Sequence, residues 1–170
     1  MSKITFIDVS KWNDNVDYKS VKSAGVTGVI IQCGYGMVST QKDPYFEDNY
    51  KKAKAQGLKV GAYLYSYAES VSDAKEEANV CLKWIKGKKF DLPIYIDMEE
   101  EGLTYLGRST LTKIATTFCK TLQNHKALLS TTVSDGMYYE VTFNGDKDEH
   151  YLDAYKKWEN VCIKKESEEE

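Results

Sequence analysis

The feature that most constrains the fold is an alternation of apolar strand-like segments with amphipathic helical segments, repeated four times before residue 125. The strand-like segments are rich in β-branched and aromatic residues, and apolar residues recur at helical spacing in the segments between them. Right-handed crossovers join parallel strands in such βαβ units, so the sequence predicts a parallel sheet. The predicted strands cover residues 4–9, 26–33, 58–65 and 92–96.

Helix-capping residues mark where the predicted helices begin. Asp17 is a candidate N-cap of the first helix, and Asp43, followed by a proline, is a candidate N-cap of the second. Ser70 begins a pattern that resembles a capping box at the third helix. A fourth helix is predicted over 110–124. Two architectures fit this order, an open doubly wound sheet and a barrel.

Polar side chains follow the predicted strands where each strand ends. In both candidate architectures, functional groups belong at the carboxyl ends of parallel strands. This sequence places five such residues there: Asp8, Tyr35, Tyr65, Asp97 and Glu99. The loop after the second strand lacks the glycine spacing of a dinucleotide site, so a nucleotide-binding function has little support.

Asp97 and Glu99 directly follow the fourth predicted strand and are two residues apart. An extended backbone puts both carboxyl groups on one face, with Cα atoms about 6.5–7 Å apart. A carboxyl pair of this kind, one protonated and one ionised, performs glycoside hydrolysis. A solvated turn after a strand is the alternative interpretation of so short a motif.

Composition excludes several other functions. The net charge is −3 without a basic cluster interleaved with aromatics, which argues against nucleic-acid binding. No apolar run reaches the length of a membrane span, and the N-terminus lacks the apolar region of a signal peptide. We therefore expect synthesis in the cytoplasm without a signal peptide. The four cysteines show no metal-binding spacing and are predicted to be buried free thiols.

Several motifs occur together in one order and spacing. They are FIDVSKWN at 6–13, GVIIQCGYG at 28–36, a D-x-x-F-x-x-N-x-x-x-A-x-x-x-G pattern at 43–57, VGAYLYSYA at 60–68 and PIYIDME at 93–99. Over about residues 3–125 the chain resembles the family 25 glycoside hydrolases, the N-acetylmuramidase lysozymes common among phage endolysins.

The resemblance implies an α/β fold, an irregular TIM-like barrel of parallel βα units. It implies hydrolysis of the β-1,4 bond between N-acetylmuramic acid and N-acetylglucosamine in peptidoglycan, without metal or organic cofactor. Glu99 matches the general acid, which needs a raised pKa near neutral pH. Asp97 matches its partner, which stabilises the transition state or orients the substrate's 2-acetamido group, and Asp8 matches a further acidic residue. An endolysin-like protein acts on the bacterial cell wall after its release.

Tyrosines near the predicted strand ends are candidate sugar-binding residues. Tyr35 and Tyr65 fit sugar contact and barrel packing equally well, whereas packing is favoured for Tyr63. Glu100 and Glu101 are expected to be solvated.

The chain departs from the family pattern in two places. Gln32 stands where relatives with this loop usually carry arginine. The second departure is the segment 126–170, which lacks the last strands of the family and its late aspartate, with Asp135 as a candidate replacement. We therefore expect a barrel that is shortened or incompletely closed at its C-terminal end. An open edge of that kind is a candidate homodimer interface.

The predicted organisation is one domain with a divergent end: family-like units over 1–125, completing strands and an amphipathic helix over 126–165, and an acidic tail over 166–170. Two alternatives to an active muramidase follow from the altered end. One is a catalytically impaired relative that binds cell-wall glycan or a protein. The other is a structural or regulatory role on the same scaffold.

Overall fold

The computed structural model describes residues 5–125, which form alternating strands and helices. Three short 3-10 turns lie at Lys11–Asn13, Ser39–Gln41 and Glu101–Tyr105. The strands and α-helices are β1 (Phe6–Val9), α1 (Tyr18–Ser23), β2 (Gly28–Tyr35), α2 (Phe46–Ala55), β3 (Lys59–Tyr65), α3 (Val71–Ile85), β4 (Ile94–Asp97) and α4 (Arg108–Asn124).

The strands form one parallel sheet in the order β1-β2-β3-β4, which confirms the predicted βαβ units. A doubly wound sheet reverses its strand order at a switch point. The described strands instead step in one direction, as the strands of a barrel do. Right-handed crossovers that step in one direction place their helices on one face of the sheet. The described part of the chain is therefore an open sheet of the barrel type.

The hydrophobic core lies between the sheet and its helices. Alternate side chains of β3, such as Val60, Ala62 and Leu64, are fully buried, whereas Tyr63 and Tyr65 at the intervening positions of the alternation are half-buried. This alternation follows from the two-residue period of a strand, which sends successive side chains to opposite faces. The tyrosine-bearing face is the one that faces the interior in a barrel, and we call it the site face.

Two of the three predicted helix caps are confirmed. The side chain of Asp17 accepts hydrogen bonds from the N–H groups of Lys19 and Ser20, and Ser70 accepts one from Asp73. These bonds satisfy donors that a helix leaves free in its first turn.

The predicted role of Asp43 as a helix cap is wrong, because α2 begins at Phe46 with Tyr45 as its N-cap. The buried Asp43 carboxylate accepts hydrogen bonds from the N–H of Tyr45 (2.8 Å) and the N–H of Lys11 (2.9 Å). It thereby ties the turn after β1 to the turn that enters α2.

An irregularity in β2 turns Tyr35 toward the site face. Gln32 pairs with Tyr63, but the register shifts before Gly34, so that Tyr35 pairs with Tyr65. Strict alternation from Gln32 would turn the Tyr35 side chain toward the helices that cover the opposite face of the sheet. The bulge turns it back to the site face. Gly34 is needed here because an added Cβ would overlap the Trp84 ring.

The cysteine prediction is confirmed for Cys33 and Cys81, which are buried free thiols, and Cys119 is buried as predicted. None of the helices within residues 5–125 is long and apolar enough to cross a membrane. The predicted elements of the segment 126–170 lie outside the described residues, as do the candidate residue Asp135 and the closure of the barrel.

Candidate active site

Three of the predicted site residues lie side by side at the carboxyl ends of neighbouring strands. Tyr35 of β2 pairs with Tyr65 of β3, and Tyr65 pairs with Asp97 of β4. The hydrogen bonding continues past the strands, since Gly36 N–H donates to Tyr65 O (3.0 Å) and Ser66 N–H donates to Asp97 O (2.8 Å). The sheet itself therefore fixes the backbone that carries these side chains.

The strand alternation extends beyond β4 and separates the acidic side chains from the core. Asp97 is half-buried, Met98 is buried in the core, and Glu99 is exposed. Asp97 and Glu99 therefore share the site face, as their spacing predicts. Asp8 near the end of β1 joins them electrostatically, because it interacts with both carboxyl groups.

Burial and mutual repulsion raise the proton affinity of this acidic cluster. Burial is the largest cause that raises the pKa of Asp97 to about 7, and the negative charges of Glu99 and Asp8 raise it further. The pKa of Asp8 is also raised, although Asp8 is an exposed residue, because its carboxyl group is partly desolvated. Two carboxylates that repel each other in this way retain a proton near neutral pH.

Tyr63 has a polar role in the site. Its hydroxyl donates a hydrogen bond to Asp8, which opposes the rise in the pKa of that carboxyl group. Burial, together with the charges of Asp8 and Asp97, raises the pKa of Tyr63, so its phenol remains a donor. Tyr63 on β3 therefore links the acidic residue of β1 to the rest of the site across β2.

Aromatic rings lie beside the acidic cluster. The Tyr65 hydroxyl donates to Glu100 Oε2 (3.0 Å), so the expectation that Glu100 is solvated is wrong, whereas Glu101 is exposed as expected. The Tyr67 ring lies 5.3 Å from the Tyr65 ring and 6.1 Å from the Tyr35 ring, measured between centroids. Sequence reasoning missed Tyr67. The available signal was the YSY pattern at the end of β3, in which Tyr67 follows Tyr65 by two residues and so falls on the same face of an extended chain.

A buried carboxylate on α3 holds the loop that carries Tyr67. Glu77 has no exposed surface, and its oxygens accept hydrogen bonds from Ser66 Oγ (2.6 Å) and from the N–H of Tyr67 (2.7 Å). Burial raises the pKa of Glu77 while these two hydrogen bonds oppose the rise. Sequence reasoning missed this residue as well; an acidic residue among the apolar positions of α3 was the available signal.

We expect Glu77→Leu to lower the free energy of unfolding by about 2–4 kcal/mol, because the Ser66 hydroxyl and the Tyr67 N–H lose a buried acceptor. Urea unfolding followed by circular dichroism measures the change. Glu76→Leu on the exposed side of the same helix is the control, with an expected change within about 0.5 kcal/mol. Equal losses in the two variants would contradict the anchoring role of Glu77.

Among residues 5–125, no three His, Cys, Asp or Glu side chains are grouped so that they could hold a metal ion. The site is built from carboxyl, phenol and backbone groups. The fold and the site together define a structural class: a βα-barrel-type sheet with a carboxylate cluster at the carboxyl ends of its strands, where barrel enzymes carry their functional groups.

Comparison with known proteins specifies this class further. Part of the chain is similar to family 25 lysozymes. Over 93 residues it is 36% identical to an autolytic lysozyme of Clostridium acetobutylicum, a match that covers 55% of this chain and 27% of that protein. Solved family 25 enzymes of 19–21% identity share the fold, with TM-scores of 0.61–0.65.

Two further similar proteins match a larger share of this chain. The modular autolysin LytC of Streptococcus pneumoniae is 27% identical with a TM-score of 0.61, covering 74% of this chain and 31% of that one. The uncharacterized protein YegX of Escherichia coli K12 is 27% identical over 155 residues, which are 89% of this chain and 54% of YegX. The chain thus spans about half the length of this relative.

A family of unknown function, DUF6275, matches residues 111–165. The match begins inside α4 and continues beyond the described residues. The part of the chain that departs from the family 25 pattern therefore has a family resemblance of its own.

Proposed function

We propose that this protein is a peptidoglycan hydrolase of the lysozyme type, which cleaves the β-1,4 bond between N-acetylmuramic acid and N-acetylglucosamine. The observation that carries the proposal is the carboxyl pair at the end of β4, in which the pKa of Asp97 is raised to about 7 beside Glu99. The lysozyme similarity supports the choice of substrate. LytC has also been solved in complex with a synthetic peptidoglycan ligand.

In the proposed reaction Glu99 is the general acid. Its exposure lets it reach the glycosidic oxygen of a bound strand, to which it gives a proton as the bond breaks. Asp97, half-buried on the same face, stabilises the positive charge that develops on the sugar or orients the 2-acetamido group that attacks its anomeric carbon. A water molecule then adds to that carbon and gives a proton to Glu99, which restores the acid. Burial and the charges of Glu99 and Asp8 raise the pKa of Asp97 to about 7, so the acidic cluster holds a proton near neutral pH. The proposed reaction requires that proton on Glu99 when the strand is bound.

Asp8 and the tyrosines complete the proposed site. Asp8 adds a third negative charge to the Asp97–Glu99 pair, and a hydrogen bond from Tyr63 holds the Asp8 carboxyl group in place. The half-buried rings of Tyr35 and Tyr65 and the exposed ring of Tyr67 offer apolar faces for sugar contact. A sugar-binding role for Asp135, a homodimer through the C-terminal edge and action on the cell wall after release stay predictions.

The test is the incubation of the purified protein with purified peptidoglycan, followed by measurement of new reducing ends. Mass spectrometry of the products identifies the sugar at each new end, and we expect N-acetylmuramic acid. The double variant Asp97→Asn/Glu99→Gln controls for contaminating hydrolases. A folded protein that sediments with peptidoglycan but releases no reducing ends would overturn the proposed activity and favour a glycan-binding role.

A further inference from the structure

The turn after β1 carries an exposed tryptophan beside a lysine. The Trp12 side chain is 81% exposed, although a large aromatic ring gains free energy from burial. The Lys11 ammonium group lies 4.7 Å from the centroid of the Trp12 ring and 5.4 Å from the centroid of the Tyr35 ring. Lys11 therefore joins Trp12 to the aromatic residues of the proposed active site.

The backbone of this turn is held firmly. Ser10 and Asn13 cap it reciprocally, with Trp12 N–H donating to Ser10 Oγ (3.3 Å) and Ser10 N–H donating to Asn13 Oδ1 (2.8 Å). The Lys11 N–H donates to the buried Asp43 carboxylate, which also anchors the start of α2. Trp12 and Lys11 are thus presented to solvent from an ordered support, which lowers the entropic cost of binding a ligand.

A row of aromatic rings leads from this turn to the acidic pair. From Trp12 and Lys11 it passes to Tyr35, then to Tyr67 and Tyr65, whose hydroxyl is hydrogen-bonded to Glu100. Within residues 5–125, Lys11 forms no ion pair with a carboxylate. Its two cation–π contacts hold the positive charge beside Trp12 and Tyr35, where a ligand stacked on these rings would meet it.

We infer that Lys11 and Trp12 form a binding site for a carboxylate-bearing part of the glycan strand, with Trp12 stacked on a sugar and Lys11 paired with the carboxylate. The inference rests on the proposed function, since the strand is the one cleaved at Glu99. Peptidoglycan supplies carboxylates from two sources. Its stem peptides carry free carboxylates, and removal of the peptides frees the lactyl carboxylate of each muramic acid.

Three insoluble polymers distinguish the stem-peptide carboxylate, the lactyl carboxylate and sugar stacking on Trp12 in a sedimentation assay at low temperature. They are intact peptidoglycan, glycan strands stripped of their peptides, and chitin, which has the same linkage and no carboxylate. We expect Lys11→Gln to weaken binding about two- to fivefold to carboxylate-bearing polymers and to leave chitin binding unchanged. Trp12→Ala should weaken binding to all three about three- to tenfold, and Trp12→Phe should restore most of it.

Lys19→Gln, at an exposed lysine of α1, is the matched control, and circular dichroism verifies that each variant folds. A loss confined to intact peptidoglycan assigns the stem-peptide carboxylate, and a loss confined to stripped strands assigns the lactyl group. Unchanged binding of Lys11→Gln, or an equal loss in Lys19→Gln, overturns the inference. A wild type that binds in a Lys11-dependent manner without cleavage supports the inference and overturns the proposed hydrolysis instead.

Discussion

Glu99→Gln is expected to lower the rate of glycosidic bond cleavage by about 10²–10⁴-fold, because an amide cannot donate the proton that the leaving oxygen needs. Glutamine preserves the size and hydrogen-bonding shape of the side chain, and Glu99 is exposed, so the fold should be unaffected. Release of reducing ends from purified peptidoglycan measures the rate. Sedimentation with the same polymer should show that binding is retained.

The control for this experiment is Glu101→Gln. Glu101 is also exposed and lies only two residues further on, in the 3-10 turn Glu101–Tyr105. We expect its activity to stay close to that of the wild type. Cleavage by Glu99→Gln within about tenfold of the wild type would remove Glu99 from the role of general acid.

Asp97→Asn is expected to stabilise the protein at pH 8 while abolishing its activity. Because the folded protein raises the pKa of Asp97 to about 7, the ionised carboxylate is disfavoured in the native state. The stability that Asp97 contributes is complete below about pH 4, its unfolded value, and is lost as the pH rises through 7. For this half-buried group we expect a gain of about 1–2 kcal/mol from the substitution, after allowance for solvent screening.

Urea unfolding of wild type and Asp97→Asn at pH 4 and pH 8 measures this effect. The two proteins should have nearly equal stability at pH 4 and differ at pH 8. Asp91→Asn is a control of opposite sign: partial burial works against the shift, but hydrogen bonds from Lys54 and from the N–H of Val60 lower the pKa of Asp91 overall. Asp91→Asn should therefore destabilise the protein at pH 8. A destabilised Asp97→Asn at that pH would show that its carboxylate is favourable in the native state.

Sequence reasoning predicted the features that depend on local pattern. The two-residue alternation of β4 was sufficient to predict Asp97 and Glu99 on one face, because the alternation of burial continues past the end of the strand. Capping by Asp17 and Ser70 was equally predictable from side-chain chemistry and position. The barrel-type order of the strands could not be chosen from periodicity, since both candidate architectures use the same βαβ units.

The features that sequence reasoning missed depend on contacts between distant residues. Asp43 fits the local signature of a helix cap, but its second acceptor oxygen binds the N–H of Lys11, which is 32 positions away. The direction of the Tyr35 side chain depends on a register shift between β2 and β3. The anchoring role of Glu77 depends on its contact with the loop at Ser66 and Tyr67, which follows β3. Each requires knowledge of which segments meet, which the pattern of a single segment does not contain.

The hydrogen bonds from Gly36 to Tyr65 and from Ser66 to Asp97 have a consequence for how this site can change in evolution. Because the pairing continues into the loops at the carboxyl ends of β2 and β3, adding or removing a residue there would break a bond of the sheet. New specificities at this edge are therefore accessible through exchange of side chains such as those at 35, 67 and 99 at constant loop length. Changes of length should accumulate instead at exposed turns such as the one at Gly87, where an added Cβ would meet no other atom within 4 Å.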